Sequence, residues 1–351
     1  MDPRAPSVTS ERIDDLDFHR MREPATGSEA WILPAIGANT VRYITTVAGT
    51  ALEVIRFPAS WDAFRARPTF HGAAVLFPFP GRVRRGRFTF GGAEHQLPIN
   101  EANPGNAIHG CVSRRTWTTV GTEATESNGA AVTYRIGVED QPDLLQEFPF
   151  PFRLTLTVRL LGGQLVYSFV AENLGDKPMP MGLGLHPYFP LPLGGTGRVD
   201  ECELQIDAPY YWEQEGYMPT GKARRSDQSV DLRAPRSLRA LASVGIGGPD
   251  KMVNLVHSQF SHENAPLPSE HGVRMGVRNP TNRREVAVES DAGFAAAVTY
   301  VPPSRDRVSF EPHTCVPNAF NLAAEGRTAG VVTLGPREFW QGTTRIRARE
   351  F

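Results

Sequence analysis

Two short segments, distant from each other in the chain, carry side chains able to exchange protons with one small substrate. One is Gly184-Leu185-His186-Pro187-Tyr188-Phe189 and the other is Phe310-Glu311-Pro312. Each sets a single titratable group among apolar neighbours, with a proline beside it. A histidine (ordinary pKa about 6.5) and a glutamate (about 4.3) in a half-buried setting can serve as acid and base near neutral pH. No local motif could span the gap between them, so only a closed tertiary fold can join the two.

The rest of the chain must supply that fold. Its 351 residues are enough to bury a large core in one big β domain or two smaller ones. Glycine and proline, 33 and 30 residues, recur between short β-branched or aromatic runs, the pattern of sandwiches and barrels. Residues 154–160 and 165–170 predict two strands joined by a turn at Leu161-Gly162-Gly163-Gln164. Residues 286–290 and 295–300 predict another pair. Helical periodicity is confined to about one or two turns around 60–65. The polar stretch 258–271, with Pro266 and Pro268, predicts a surface loop. Residues 1–30 are charged and show no apolar period, which predicts a loose N-terminal leader or an edge element. With no internal repeat and no shift in composition, residues 31–351 are expected to form one all-β domain.

Bulk properties narrow the partners. A formal net charge of −1 gives no basis for a nucleic-acid partner or an anionic membrane surface. No apolar run reaches the roughly 20 residues needed to span a bilayer. The start, Met1-Asp2-Pro3-Arg4, is polar and lacks the apolar core of a secretory signal, and three cysteines, an odd number, argue for a reducing compartment. A cytoplasmic protein, monomer or homodimer, is the expectation.

Several further blocks occur in an order that resembles the aldose 1-epimerases (galactose mutarotases). Leu76-Phe77-Pro78-Phe79-Pro80-Gly81-Arg82-Val83, then Gly86-Arg87-Phe88 and Leu97-Pro98-Ile99-Asn100, are similar to that family's early arginine-bearing segment. Ala107-Ile108-His109-Gly110 followed by Trp117 resembles its first histidine motif. Pro178-Met179-Pro180-Met181-Gly182 running into His186-Pro187-Tyr188-Phe189 resembles the second. Glu311-Pro312, Pro317-Asn318-Ala319-Phe320-Asn321 and Leu334-Gly335-Pro336-Arg337-Glu338 resemble its C-terminal glutamate block. The resemblance runs from about Val75 to the C-terminus. It implies a large antiparallel β-sandwich of the galactose mutarotase type, acting on a small sugar without a cofactor.

Interconverting the anomers of a sugar explains why such residues are needed. A base takes the proton from the anomeric hydroxyl while an acid protonates the ring oxygen; the open aldehyde rotates about C1–C2 and recloses. By the resemblance, Glu311 is the base, His186 the acid, and His109 a second histidine near the ring oxygen. Arg82 is implied to bind hydroxyls, although beside Arg84 and Arg85 it also reads as a solvated face. Asp250, in Gly248-Pro249-Asp250-Lys251-Met252-Val253, is the best match to the family's hydroxyl-binding aspartate, with a turn aspartate as the alternative. Phe294 resembles the aromatic that faces the sugar and reads equally as core. Asn100 and Asn103 are candidates for further hydroxyl contacts, and the spacing does not choose between them.

Metal binding has weaker support. His257 and His262 lie five apart with no Cys, Asp or Glu completing a set, so no metal is expected. Cys111 and Cys315 are read as small buried thiols. Besides a free-aldose 1-epimerase, two readings stay open. One is a hexose-6-phosphate 1-epimerase, for which Arg82, Arg84, Arg85, Arg114 and Arg115 could supply positive charge. The other is a non-catalytic sugar-binding domain, against which the retention of His109, His186 and Glu311 speaks.

Overall fold

The computed structural model describes residues 4–248, 250–263 and 271–351. Among these residues two large antiparallel sheets dominate. In the twelve-stranded sheet the strand Gly184–Pro190 lies between Ala73–Leu76 and Arg307–His313, and Ala296–Val301 and Val253–Ser258 follow outward. The nine-stranded sheet runs from Thr118–Thr125 through Phe152–Leu161, Gln164–Asn173 and Phe339–Glu350 to Arg236–Ser237. The largest apolar cluster draws on both: Val75, Leu185, Phe189, Val308 and Phe310 from the first, and Leu154, Leu156, Phe169, Val286 and Val288 from the second. The fold is thus an antiparallel β-sandwich.

Side-chain alternation does the positioning, because successive residues of a strand point to opposite faces. In Arg307–His313, Val308 and Phe310 enter the shared core, which leaves Ser309, Glu311 and His313 together on the other face. In Gly184–Pro190, Leu185 and Phe189 face the core while His186 and Tyr188 face away from it.

The hairpin predicted around Gly162-Gly163 is present: Phe152–Leu161 pairs with Gln164–Asn173, and Leu161 opposes Gln164. Both turn glycines have positive φ (59° and 69°), the conformation that a two-residue hairpin of this type requires. The helical turn is Trp61–Ala66, capped by Ser60 Oγ accepting from the Ala63 N–H at 3.3 Å. The strands expected as a pair at 286–290 and 295–300 both form but do not pair. Arg284–Asp291 belongs to the second sheet and Ala296–Val301 to the first, the chain crossing between sheets at 291–295. Strand propensity says nothing about which sheet a strand joins. Of the expected loop at 258–271, residues 264–270 lie outside the described residues, while Ser258 closes one strand and His271 opens another.

From Ser7 onward the N-terminal segment is not loose. Ser7–Ile13 and Leu16–Glu23 are the outermost strands at one edge of the first sheet. Leu16, Phe18, Trp31, Leu33, Val41 and Phe64 form their own buried cluster there. Arginines and carboxylates on the solvent face (Arg12–Asp17 and Arg20–Glu29 among them) obscure the apolar alternation in composition. No helix of the described residues is long and apolar enough to cross a membrane.

Candidate active site

His186 and Glu311 come together by register. Gly184 opposes His313 and Tyr188 opposes Ser309, so the same antiparallel register sets His186 opposite Glu311. His186 Nε2 stands 3.3 Å from Glu311 Oε1, and both side chains are almost wholly buried. On its other side His186 Nδ1 lies 2.8 Å from Ser309 Oγ, whose hydroxyl donates to the Pro187 carbonyl at 2.9 Å. The single serine proton is thereby used, so Nδ1 must be the donor in the imidazole–serine contact. A neutral His186 therefore turns a bare Nε2 toward the carboxylate, and the pair is stable when it shares one proton.

Burial acts on both members in the same sense. It raises the Glu311 carboxyl above its ordinary value, with His186 and Arg82 opposing the rise. It depresses His186, with Glu311 opposing the fall. Both shifts favour the one-proton pair, which carries no net charge.

His109 enters from a different part of the chain. It has φ 63° and Gly110 follows at φ 67°, two consecutive left-handed residues that turn the chain sharply. Any Cβ at Gly110 would lie 2.0 Å from the Phe77 carbonyl oxygen, so the position admits only glycine. The Gly81 N–H donates to His109 Nδ1 at 3.3 Å, and the His109 N–H donates back to the Gly81 carbonyl at 2.8 Å. Nδ1 being an acceptor, the ring proton of neutral His109 is on Nε2. Burial, with His186, His313 and Arg82 nearby, holds its pKa well below the ordinary histidine value. Its ring meets that of His186 edge-on, centroids 5.3 Å apart.

Arg82 lies opposite Ile108 in a short two-stranded ladder. Its guanidinium is held bidentate by Glu101 (Nη2–Oε1 2.7 Å, Nε–Oε2 2.9 Å), and Asn106 donates to the same carboxylate at 3.0 Å. Burial would raise Glu101, but the hydrogen bonds from Arg82 and Asn106 keep it below the ordinary carboxylate value. His109, His186, Glu311 and Arg82 all line one cavity of about 670 Å³, a volume suited to a small ligand.

Other expected residues fare differently. Asn100 lines the cavity, yet its amide is engaged by the Ile108 backbone, accepting from N–H at 2.7 Å and donating to C=O at 2.9 Å. It clamps the segment that ends in His109. Asn103 also lines the cavity. Asp250 does not reach it: the residue is exposed in a turn at φ 57°, and Met252 and Asn254 from the same segment reach the cavity instead. Phe294 is likewise not at the cavity. It is fully buried against Phe169 and Trp340, with ring centroids 6.2 and 5.5 Å away, where the chain crosses between sheets.

Sequence reasoning missed Ser309, His313, Tyr188 as a stacking partner of His186 (centroids 4.9 Å), Glu101, Tyr217 and Tyr300. Alternate spacing within Ser309-Phe310-Glu311-Pro312-His313 was the available signal for the first two. His257 is buried with Nε2 against the Val230 carbonyl at 2.9 Å, and His262 Nδ1 accepts from the Ala223 N–H at 3.0 Å. Among the described residues no group of three or more His, Cys, Asp or Glu is arranged to hold a metal ion. Cys111 and Cys315 are buried free thiols.

Comparison with known proteins agrees with this architecture. The chain is 26% identical to the uncharacterized protein YihR of Escherichia coli over 72% of its own length and 73% of that protein. It is 31% identical to the galactose mutarotase of Rattus norvegicus over 58% of this chain and 57% of that protein, so it aligns with little more than half of that enzyme. A galactose mutarotase-like protein from Clostridium acetobutylicum superposes with a TM-score of 0.84 at 23% identity, covering 99% of both chains. Residues 26–347 match the Aldose 1-epimerase family model, and the chain belongs to that family of sugar isomerases.

Proposed function

We propose that this enzyme interconverts the α and β anomers of a free hexose by acid–base opening and reclosure of the ring. The observation that carries the reading is the buried His186–Glu311 pair, 3.3 Å apart on the wall of the cavity with His109 beside it. In the step, ionised Glu311 takes the proton of the anomeric hydroxyl and protonated His186 gives its Nε2 proton to the ring oxygen. The bond between C1 and the ring oxygen breaks, and C1 and its hydroxyl oxygen become the aldehyde. Rotation about C1–C2 and the reverse transfers deliver the other anomer. One proton sits on the pair before and after opening, so the buried site never gains net charge. Neutral His109 donates through Nε2 near the ring oxygen, and Arg82, held by Glu101, meets sugar hydroxyls. Each well-placed acid or base contributes on the order of 10²–10⁴ in rate.

A second reading, a hexose bearing an anionic group such as a 6-phosphate, has one specific observation in its favour. Of the arginines at the cavity, Arg82 pairs with Glu101, and Arg115 with Asp143 and Glu147. Arg67 and Arg114 line the same cavity and have no carboxylate partner among the described residues; Arg67 stacks on Phe70 and Arg114 donates to the Ala66 carbonyl at 3.0 Å. Polarimetry with freshly dissolved α-glucose, α-galactose and their 6-phosphates separates the readings. Faster equilibration of the free sugars supports the first, and preference for the phosphates supports the second. Equilibration no faster than in buffer with all four would overturn both.

A further inference from the structure

We infer that His313 is a positioning residue that holds Glu311 ionised and aimed, by donating its Nε2–H to the carboxylate oxygen that His186 leaves unoccupied. The inference rests on the reading of Glu311 as the base. His313 Nε2 lies 3.2 Å from Glu311 Oε2, while His186 faces Oε1, so the two imidazoles bracket the carboxylate. The His313 ring is completely buried, and its Nδ1 has no hydrogen-bond partner. A buried polar atom without a partner is costly, and the opposite tautomer would move the proton to Nδ1 and set a bare Nε2 against the carboxylate. The Nε2–H form is the one that satisfies the glutamate, at the expense of Nδ1. Burial drives the pKa of His313 down to about 3, so at working pH it is a neutral donor and adds no charge to the pair.

The seat is built for this ring. Gly184 lies directly opposite His313, and a Cβ there would stand 2.5 Å from His313 Cδ2 and 3.0 Å from Nε2. The missing side chain at Gly184, two residues before His186 on the same face of its strand, makes room for the imidazole. One strand thus supplies three aligned groups: Ser309 orients His186, Glu311 faces it, and His313 steadies Glu311 from the other side. Of the other titratable groups around Glu311, His186 and Arg82 oppose the rise of its carboxyl, Tyr188 is raised in part by its charge, and His109 and Tyr300 line the same cavity.

The test is titration of the Glu311 side-chain carboxyl by ¹³C NMR, with kcat and KM measured on the same proteins. His313→Leu fills the space and removes the donor; His313→Gln restores an N–H donor at similar reach. His313→Leu is expected to move the Glu311 midpoint upward and to lower kcat by about 10- to 100-fold, the usual worth of a hydrogen bond to a charged group, with KM little changed. His313→Gln should recover most of both, and Gly184→Ala, which crowds the ring, should shift the carboxyl as His313→Leu does. An unmoved Glu311 midpoint in folded His313→Leu, or a Gln variant as impaired as the Leu variant, would overturn the inference. The carboxyl titration reads this contact whether or not sugar is turned over, so an inactive wild-type protein would count against the proposed reaction alone.

Discussion

His186 and Glu311 face each other from adjacent antiparallel strands, Nε2 to Oε1 at 3.3 Å, and each is followed in the chain by a proline. Prolines are unusual inside a sheet because they cannot donate to the ladder. Here Pro187 and Pro312 interrupt the ladder between Gly184–His313 and Tyr188–Ser309. The acid and base thus sit at a gap in an otherwise regular central pairing, with core residues behind them and the cavity in front.

Replacing Glu311 by Gln tests the base. The amide oxygen can still accept from His313 and the amide nitrogen can donate to the bare Nε2 of His186, so the fold should stand. The variant cannot take a proton, and mutarotation is expected to fall by at least about 10² with KM little changed. Near wild-type turnover would remove Glu311 from the mechanism.

The pH dependence follows from the sign of the two shifts. The working pair holds one proton and no net charge. Burial opposes gain of a second proton, since it depresses His186, and opposes loss of the last, since it raises Glu311. The limbs of the kcat/KM profile belong to the pair and not to either residue. The acid limb should therefore fall below the ordinary histidine value and the alkaline limb above the ordinary carboxylate value, giving a bell-shaped profile. A rate that climbs steadily from about pH 4 to 9, with chemistry limiting, would mean that the pair does not act with one shared proton.

How far the site was legible depended on whether a residue's meaning was local. His186, Glu311, His109 and Arg82 each sit in a compact motif with its own turn or proline, and those four converge on the cavity. His313 and Ser309 were legible in principle, from alternate spacing alone, but nothing local marks a buried histidine as a partner. Phe294 and Asp250 went astray because their neighbours in sequence are not their neighbours in space. Phe294 lies where the chain crosses between sheets, and Asp250 in a turn whose next residues, not itself, reach the cavity. The N-terminal strands were hidden by charge: composition averages over two faces that the sheet keeps apart.

Asp250 gives a direct check of that correction. Asp250→Gly removes the carboxylate and suits the left-handed turn, φ being 57° at present. KM for the sugar is expected to stay within about twofold of wild type, because the side chain makes no part of the cavity lining. A rise of about tenfold or more would show that this turn grips the sugar after all.

Phe294 should answer to stability and not to substrate. It is fully buried where the chain crosses between the sheets, its ring packed against those of Phe169 and Trp340. Truncation removes the contacts of an aromatic ring and leaves a cavity at the point where the chain changes sheets. Phe294→Ala is therefore expected to cost about 3–5 kcal/mol of folding free energy, read as a lower midpoint in chemical denaturation. Below that midpoint the folded enzyme should keep its KM for the sugar, since Phe294 is not among the residues that line the cavity. A variant with undiminished stability and a raised KM would instead assign Phe294 to the sugar and take it out of the core.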